Sequence, residues 1–100
     1  MRIIARQTLV AFMSRHPPAA SSAEHWFAIA KAASWRSMAD VQASFCKAKV
    51  LNAERVRFEI GGGQYRMIVA FDFGRQIAFI KSVGTHAEYD RIDALTVSLF

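Results

Sequence analysis

The chain has 100 residues, which gives one domain with a single modest core and no room for a second. At 53% hydrophobic and 21% charged it reads as globular, which excludes a disordered or low-complexity tract. The net charge of +5 and the pI near 10.0 favour a polyanionic partner such as nucleic acid, and no run approaches the roughly twenty apolar residues of a membrane span.

Met1 to Ile4 is predicted as a short edge strand, and the start Met1-Arg2-Ile3-Ile4-Ala5-Arg6 lacks the apolar core of a signal peptide. From Ala5 to about Arg15, Leu9, Phe12 and Met13 recur at helical spacing. His16-Pro17-Pro18 ends that helix, because a proline disfavours the α conformation of the residue before it. Ser21 and Glu24 have capping-box spacing for a second helix to about Ala33, with Trp26, Phe27, Ala30 and Ala33 as its apolar stripe. Ser37 and Asp40 repeat the capping spacing for a short helix over Met38 to Ala43. Lys47 and Lys49 alternate with Ala48 and Val50, as in a short strand, and Asn52-Ala53 reads as a turn. Cys46 is the lone cysteine, so no intramolecular disulfide forms, and a reducing cytoplasm is the natural location. Beside Phe45 its thiol is expected to be buried and inert.

Residues 55–85 carry three runs rich in β-branched and aromatic residues, separated by Gly61-Gly62-Gly63 and Gly74-Arg75. That pattern predicts an antiparallel meander, with two N-terminal helices packed on one face of it: an α+β domain. The glycine run lacks the Lys-Ser/Thr ending of a P-loop and has no helix after it, so it is a hairpin turn. A two-residue Gly74-Arg75 turn pairs Ala70 with Phe79, Ile68 with Lys81 and Arg66 with Val83. Met67, Val69, Phe71, Ala78 and Ile80 then face the helices, and Arg66 and Lys81 share the uncovered face. Two cations there suit a bound polyanion; two solvated surface charges are the plain alternative. His86, Tyr89 and Asp90 follow at i, i+3 and i+4, one face of a short C-terminal helical turn. Thr85 and Glu88 have the spacing to cap it. Part of the string is therefore helix-start chemistry, but His86 and Tyr89 are not needed for that. Both residue types move protons. No second His or Cys lies at metal-ligand spacing, so no metal is expected.

The segments Gly61-Gly62-Gly63-Gln64-Tyr65-Arg66, Arg75-Gln76-Ile77-Ala78-Phe79-Ile80 and Val83-Gly84-Thr85-His86-Ala87-Glu88-Tyr89-Asp90-Arg91-Ile92-Asp93 resemble the HigB-type toxins of bacterial type II toxin–antitoxin modules. The Arg-Ile-Ile start, His16-Pro17, Trp35-Arg36-Ser37 and Asp40-Val41 are similar too, so the resemblance spans most of the chain. It departs at Gly63, where these toxins usually carry Asn. If that Asn makes a specific contact, Gly63 does not replace it; if it only supplies a left-handed turn conformation, Gly63 serves as well or better.

The resemblance implies a small RelE-like domain and a ribosome-dependent mRNA endonuclease that needs no metal or other cofactor. It also implies a cognate HigA-type helix-turn-helix antitoxin. The attacking group is then the RNA's own 2′-hydroxyl. Arg66 is expected to grip the phosphate and Lys81 to assist as a point charge. His86 and Tyr89 are the proton-transfer pair, in either order, and Asp90 orients His86 or faces solvent. Arg55, Arg57, Lys47, Lys49, Arg75 and Arg91 are candidate contacts to mRNA or ribosomal RNA backbone. Two other readings stay open: a non-catalytic basic module that stacks RNA on Tyr65 and its Phe residues, and an interaction protein that docks a partner on a sheet edge.

Overall fold

The computed structural model describes residues 1–98. The meander is its centre: β3 (Arg55–Ile60), β4 (Tyr65–Asp72) and β5 (Ile77–Thr85) pair antiparallel in sequence. Glycine makes the first connection possible. Gly61, Gly62 and Gly63 have φ of 61°, 72° and 93°, where a side chain is strained. The second connection is the expected Gly74-Arg75 turn, closed by the Gln76 amide donating to the Phe73 carbonyl at 3.3 Å. The positive φ there, 56°, belongs to Gln76 and not to the glycine. Gln76 is held in it by its side-chain amide, which donates to the carbonyls of Trp35 (2.6 Å) and Phe73 (2.9 Å).

Two short strands extend the sheet. β2 (Lys49–Val50) pairs antiparallel with β3, and β1 (Arg2–Ile4) pairs with β5, giving the order β1-β5-β4-β3-β2. β1 is the predicted edge strand, but it runs parallel to its neighbour, so the sheet is mixed. Asn52 makes the turn between β2 and β3, its side-chain oxygen accepting from the amides of Glu54 (3.0 Å) and Arg55 (2.7 Å).

Three helices pack on one face. α1 (Arg6–Arg15) ends at His16, which takes the non-helical conformation that Pro17 imposes (φ −129°, ψ 69°). A 3₁₀ turn over Pro17–Ala19 leads directly into α2 (Ala20–Ala32). That continuity overturns the expected capping box: Ser21 already lies inside the helix, and no side chain caps α2. Its neighbour Ser22 instead accepts from the Gly61 amide at 3.0 Å, tying α2 to the glycine turn. The second expected cap does form, Ser37 accepting from the Asp40 amide at 3.3 Å at the head of α3 (Met38–Ser44).

The predicted alternation sets the core. Met67, Val69, Phe71, Ala78 and Ile80 join Leu9, Phe12, Ala23, Trp26 and Ala30 in one buried cluster. Met13, Phe27 and Ala33, expected in the helical stripes, are only half-buried. Cys46 is exposed, contrary to expectation, because it falls in the turn after α3 and not on an inward strand position. The opposite sheet face is less open than the pattern suggested. Ile68 and Ala70 point away from the helices yet are buried. There the Arg55 guanidinium, on the strand beside them, holds the segment that follows β5.

Phe58 is the hub of the core aromatics, with ring centroids 5.4 Å from Trp26, 5.3 Å from Phe45 and 6.2 Å from Phe71. Phe58→Ala should destabilise the fold by about 3–5 kcal/mol, read as a fall in the denaturation midpoint. A loss within experimental error would show that this layer does not carry the core.

Candidate active site

β5 ends by turning without a linker into α4 (His86–Tyr89). The predicted capping box closes the corner: Thr85 Oγ1 accepts from the Glu88 amide (3.1 Å), and Glu88 Oε1 accepts from the Thr85 amide (2.8 Å). The His86 amide donates to the Gln64 carbonyl at 3.1 Å, which pins the corner to the start of β4. Gly84 leaves room for this. A Cβ at that position would stand 2.8 Å from Glu88 Oε1. The corner presents His86, Tyr89 and Asp90 at one end of the sheet. His86 Nδ1 lies 3.1 Å from Asp90 Oδ2, both side chains well exposed.

Strand register brings the cations to the same place. Across the face turned away from the helices, Lys49 pairs with Arg57, Arg57 with Ile68, Glu59 with Arg66, and Arg66 with Gly84. Alternation therefore sets Lys49, Arg57 and Arg66 on that face together. The Arg66 guanidinium lies 5.4 Å from the Tyr89 ring centroid, and that of Arg57 lies 5.8 Å from it. Tyr89 is thus a shared cation–π partner of two arginines. The Nε atoms of both are buried and have no protein acceptor. Among the described residues no carboxylate is at ion-pairing distance from either, although Glu59 is directly across from Arg66. Two half-buried cations side by side without a carboxylate partner make a positive spot on this face, which an anion would complement.

The register differs from the predicted one beyond Val69. Ala70 faces Phe79 as expected, but an irregularity between Ile68 and Val69 gives β5 an extra residue. Ile68 then faces Ser82 and Arg66 faces Gly84, in place of Lys81 and Val83. Lys81 is the extra residue. Its ammonium lies 5.2 Å from the Phe79 ring centroid, whose residue pairs with Ala70, four positions along β4 from Arg66. Lys81 shares the face but does not join the Arg57–Arg66–Tyr89 cluster. Arg57, expected as a backbone contact, does join it. The signal that finds it is the β3–β4 pairing, since Arg57 and Arg66 become diagonal neighbours only once that register is known.

The remaining candidates divide. Lys47, Lys49 and Arg91 are exposed; Arg75 is exposed at the far hairpin, 3.7 Å from Asp72. Arg55 is corrected: it is 7% exposed, and its Nη1 donates to the carbonyls of Ala94 (3.1 Å) and Val97 (2.7 Å). It clamps the segment after α4 and is not turned toward solvent. Among the described residues no three His, Cys, Asp or Glu side chains gather where a metal ion would need them.

A family model described as HigB_toxin, RelE-like toxic component of a toxin–antitoxin system, matches residues 19–92. No curated protein matches the chain.

The corner makes its own prediction. The hydrogen bond from the Thr85 amide holds the Glu88 carboxyl below its ordinary range, aided by the Thr85 side chain and by the nearby Arg15 charge. A depressed carboxyl supports the corner fully above the ordinary glutamate pKa, and that support is lost as pH falls through the lowered value. Hydrogen exchange at the Thr85 amide should therefore be slow at pH 6, relative to its intrinsic rate, and lose protection on acidification. Glu88→Gln should remove most of that pH dependence. Equal profiles for the two proteins would show that the carboxylate does not hold the corner.

Proposed function

This chain belongs to the HigB_toxin family of RelE-like toxic components of toxin–antitoxin systems, and from that premise we propose that it is a ribosome-dependent mRNA endonuclease. The observation that carries the reading is the pair of half-buried arginines, Arg57 and Arg66, that have no carboxylate partner among the described residues and lie against the Tyr89 ring, beside a His86–Asp90 pair. An RNA phosphate supplies the acceptors that those arginines lack, and the two proton-transfer side chains stand at the same corner.

The reaction is an in-line transfer. The 2′-oxygen bonds to the adjacent phosphorus, the bond from phosphorus to the 5′-oxygen breaks, and a 2′,3′-cyclic phosphate and a 5′-hydroxyl result. One group takes the 2′-proton and another protonates the leaving 5′-oxygen. With His86 Nδ1–H donating to Asp90, Nε2 keeps its lone pair for the 2′-proton. Tyr89 then serves as the acid, its ring held among the two guanidiniums. Arg66 carries the charge that develops on the phosphoryl oxygens. Its backbone is paired on both sides, to Glu59 and Gly84, so it need not reorganise during the step. Two proton-transfer groups on an exposed corner are a small catalytic apparatus, which fits a substrate presented in a fixed geometry by the ribosome. The exposed Lys47, Lys49 and Arg91 then reach mRNA or ribosomal RNA backbone, and the cytoplasm is the site of action.

Arg66→Ala should lower cleavage of mRNA on translating ribosomes by about 10²–10³-fold, with an unchanged circular dichroism spectrum. Arg66→Lys should not restore it, since an ammonium cannot make the forked contact. His86→Ala and Tyr89→Phe should cost a similar or smaller factor, and the pair together less than the product if they act as one unit. Induced expression of the wild type should arrest growth, and that of Arg66→Ala should not. Near wild-type cleavage by a folded Arg66→Ala protein would move the phosphate-binding role to Arg57 or Lys81. Binding of ribosomal mRNA without cleavage by the wild type would favour a non-catalytic RNA-binding module.

A further inference from the structure

One aromatic ring on the sheet face of Arg57 and Arg66 has no part in the core. Phe79 is half-buried, yet among the described residues it belongs neither to the buried cluster nor to the hydrophobics packed on it. It pairs with Ala70 on β4 and with Ile4 on β1, so alternation sets it on the face turned away from the helices. Ala70 offers only a methyl group, which does not span a phenyl ring. What lies over the ring is a cation. The Lys81 ammonium is 5.2 Å from the ring centroid, and among the described residues it is in no ion pair. The bulge in β5 puts it there. Ile80 faces Val69 and Ser82 faces Ile68, so Lys81 has no partner of its own on β4. An extra residue of this kind re-aims a side chain, and bulges gather beside functional sites. Ala70 is four positions along β4 from Arg66, so the two stations are roughly 13 Å apart along the strand.

We propose that Phe79 and Lys81 form a nucleotide subsite for the mRNA strand: a base that flanks the scissile phosphate stacks on the Phe79 ring, and Lys81 takes the phosphate of that nucleotide. The proposal rests on the reading of Arg57 and Arg66 as the site of the scissile phosphate. The chemistry selects single-stranded RNA. A ring and a cation side by side match a base and its phosphate, and every base has a π-face, so the subsite accepts any sequence. A duplex keeps its bases stacked inside and gives the ring nothing to hold. The Lys81 ammonium covers the ring until a base arrives, and its flexible stem then carries it to the phosphate. The strand is thereby held at two points of one sheet face, Arg66 and Phe79, which fixes the line of the backbone through the scissile bond. Because the gripped nucleotide does not react, the subsite contributes to binding and leaves the chemical step alone.

The test uses the full chain and ribosomes carrying short mRNAs, in single turnover. Phe79→Leu keeps apolar bulk without a π-face. It is expected to raise the protein concentration for half-maximal rate by about tenfold, with the maximal rate little changed. Phe79→Trp, which restores a ring, should bind more tightly than Phe79→Leu, and Lys81→Ala should flatten the salt dependence. An abasic residue in place of the stacked nucleotide should weaken the wild type by the same factor and leave Phe79→Leu unaffected. Iodouridine is then placed at each position in turn along a ribosome-bound, 2′-O-methylated mRNA that resists cleavage. One position should photo-crosslink to Phe79, a result that needs neither a variant nor activity. Circular dichroism confirms each fold. Three outcomes would each overturn the subsite while leaving the Arg66 site standing: a folded Phe79→Leu protein with the wild type's half-maximal concentration, an abasic penalty that persists in Phe79→Leu, or no crosslink to Phe79 from any position. A crosslink to Phe79 on an mRNA that the wild type never cuts when unmethylated would uphold the subsite and sink the nuclease mechanism alone.

Discussion

The chain has to leave β5 and enter α4 at a single residue, Thr85, with no linker between them. Two reciprocal hydrogen bonds with Glu88 make that corner, and the His86 amide anchors it to the Gln64 carbonyl in the turn just before β4. A side-chain cap of this kind contributes about 1 kcal/mol, a large share for a helix of one turn that has little else to hold it. The direction in which His86, Tyr89 and Asp90 project depends on it. Gly84 gives the corner room: a Cβ there would crowd the Glu88 carboxyl, 2.8 Å from Oε1, and force it to shift. The same absence of a side chain clears the position across from Arg66.

The two sheet faces divide the labour. One is sealed by α1, α2 and α3 around Phe58 and Trp26, and that packing makes the strands a rigid frame. The other carries Lys49, Arg57 and Arg66 at fixed register, where like charges repel and buried Nε donors go unmet. A protein tolerates such an arrangement where its cost is offset elsewhere, and the proposed phosphate site rests on it. Arg55 has a different role on the same strand. It spends its guanidinium on the carbonyls of Ala94 and Val97, holding the segment after α4 beside the cluster.

Local chemistry was readable in the sequence; distant pairing was not. The meander, the glycine turn, the Ser37 cap and the Thr85–Glu88 box each depend on residues a few positions apart, and each formed. Arg66 and the His86–Tyr89–Asp90 face could be picked out for the same reason. The register beyond Val69 could not, because an added residue in β5 leaves the alternation of each half intact and has no composition of its own. That one residue moved Lys81 away from Arg66. The shift of Arg55 from solvent to clamp depends on a contact 39 and 42 residues distant, beyond the reach of any local pattern. Ser21 failed as a cap because the Pro17–Ala19 turn runs into α2 and starts the helix before it. Cys46 was judged by its apolar neighbour, and the turn it occupies overrode that neighbour.

The proposed chemistry has a signature in its products that neither growth nor cleavage rate can supply. Attack by the 2′-oxygen leaves a 2′,3′-cyclic phosphate on one fragment and a 5′-hydroxyl on the other, whatever the order in which His86 and Tyr89 move protons. The direct measurement is mass spectrometry of the fragment ends from mRNA cut on ribosomes by the purified protein. A cyclic phosphate, or the monophosphate it opens to, paired with a 5′-hydroxyl is the expected result. A 3′-hydroxyl paired with a 5′-phosphate would contradict the mechanism, because water rather than the RNA would then be the nucleophile.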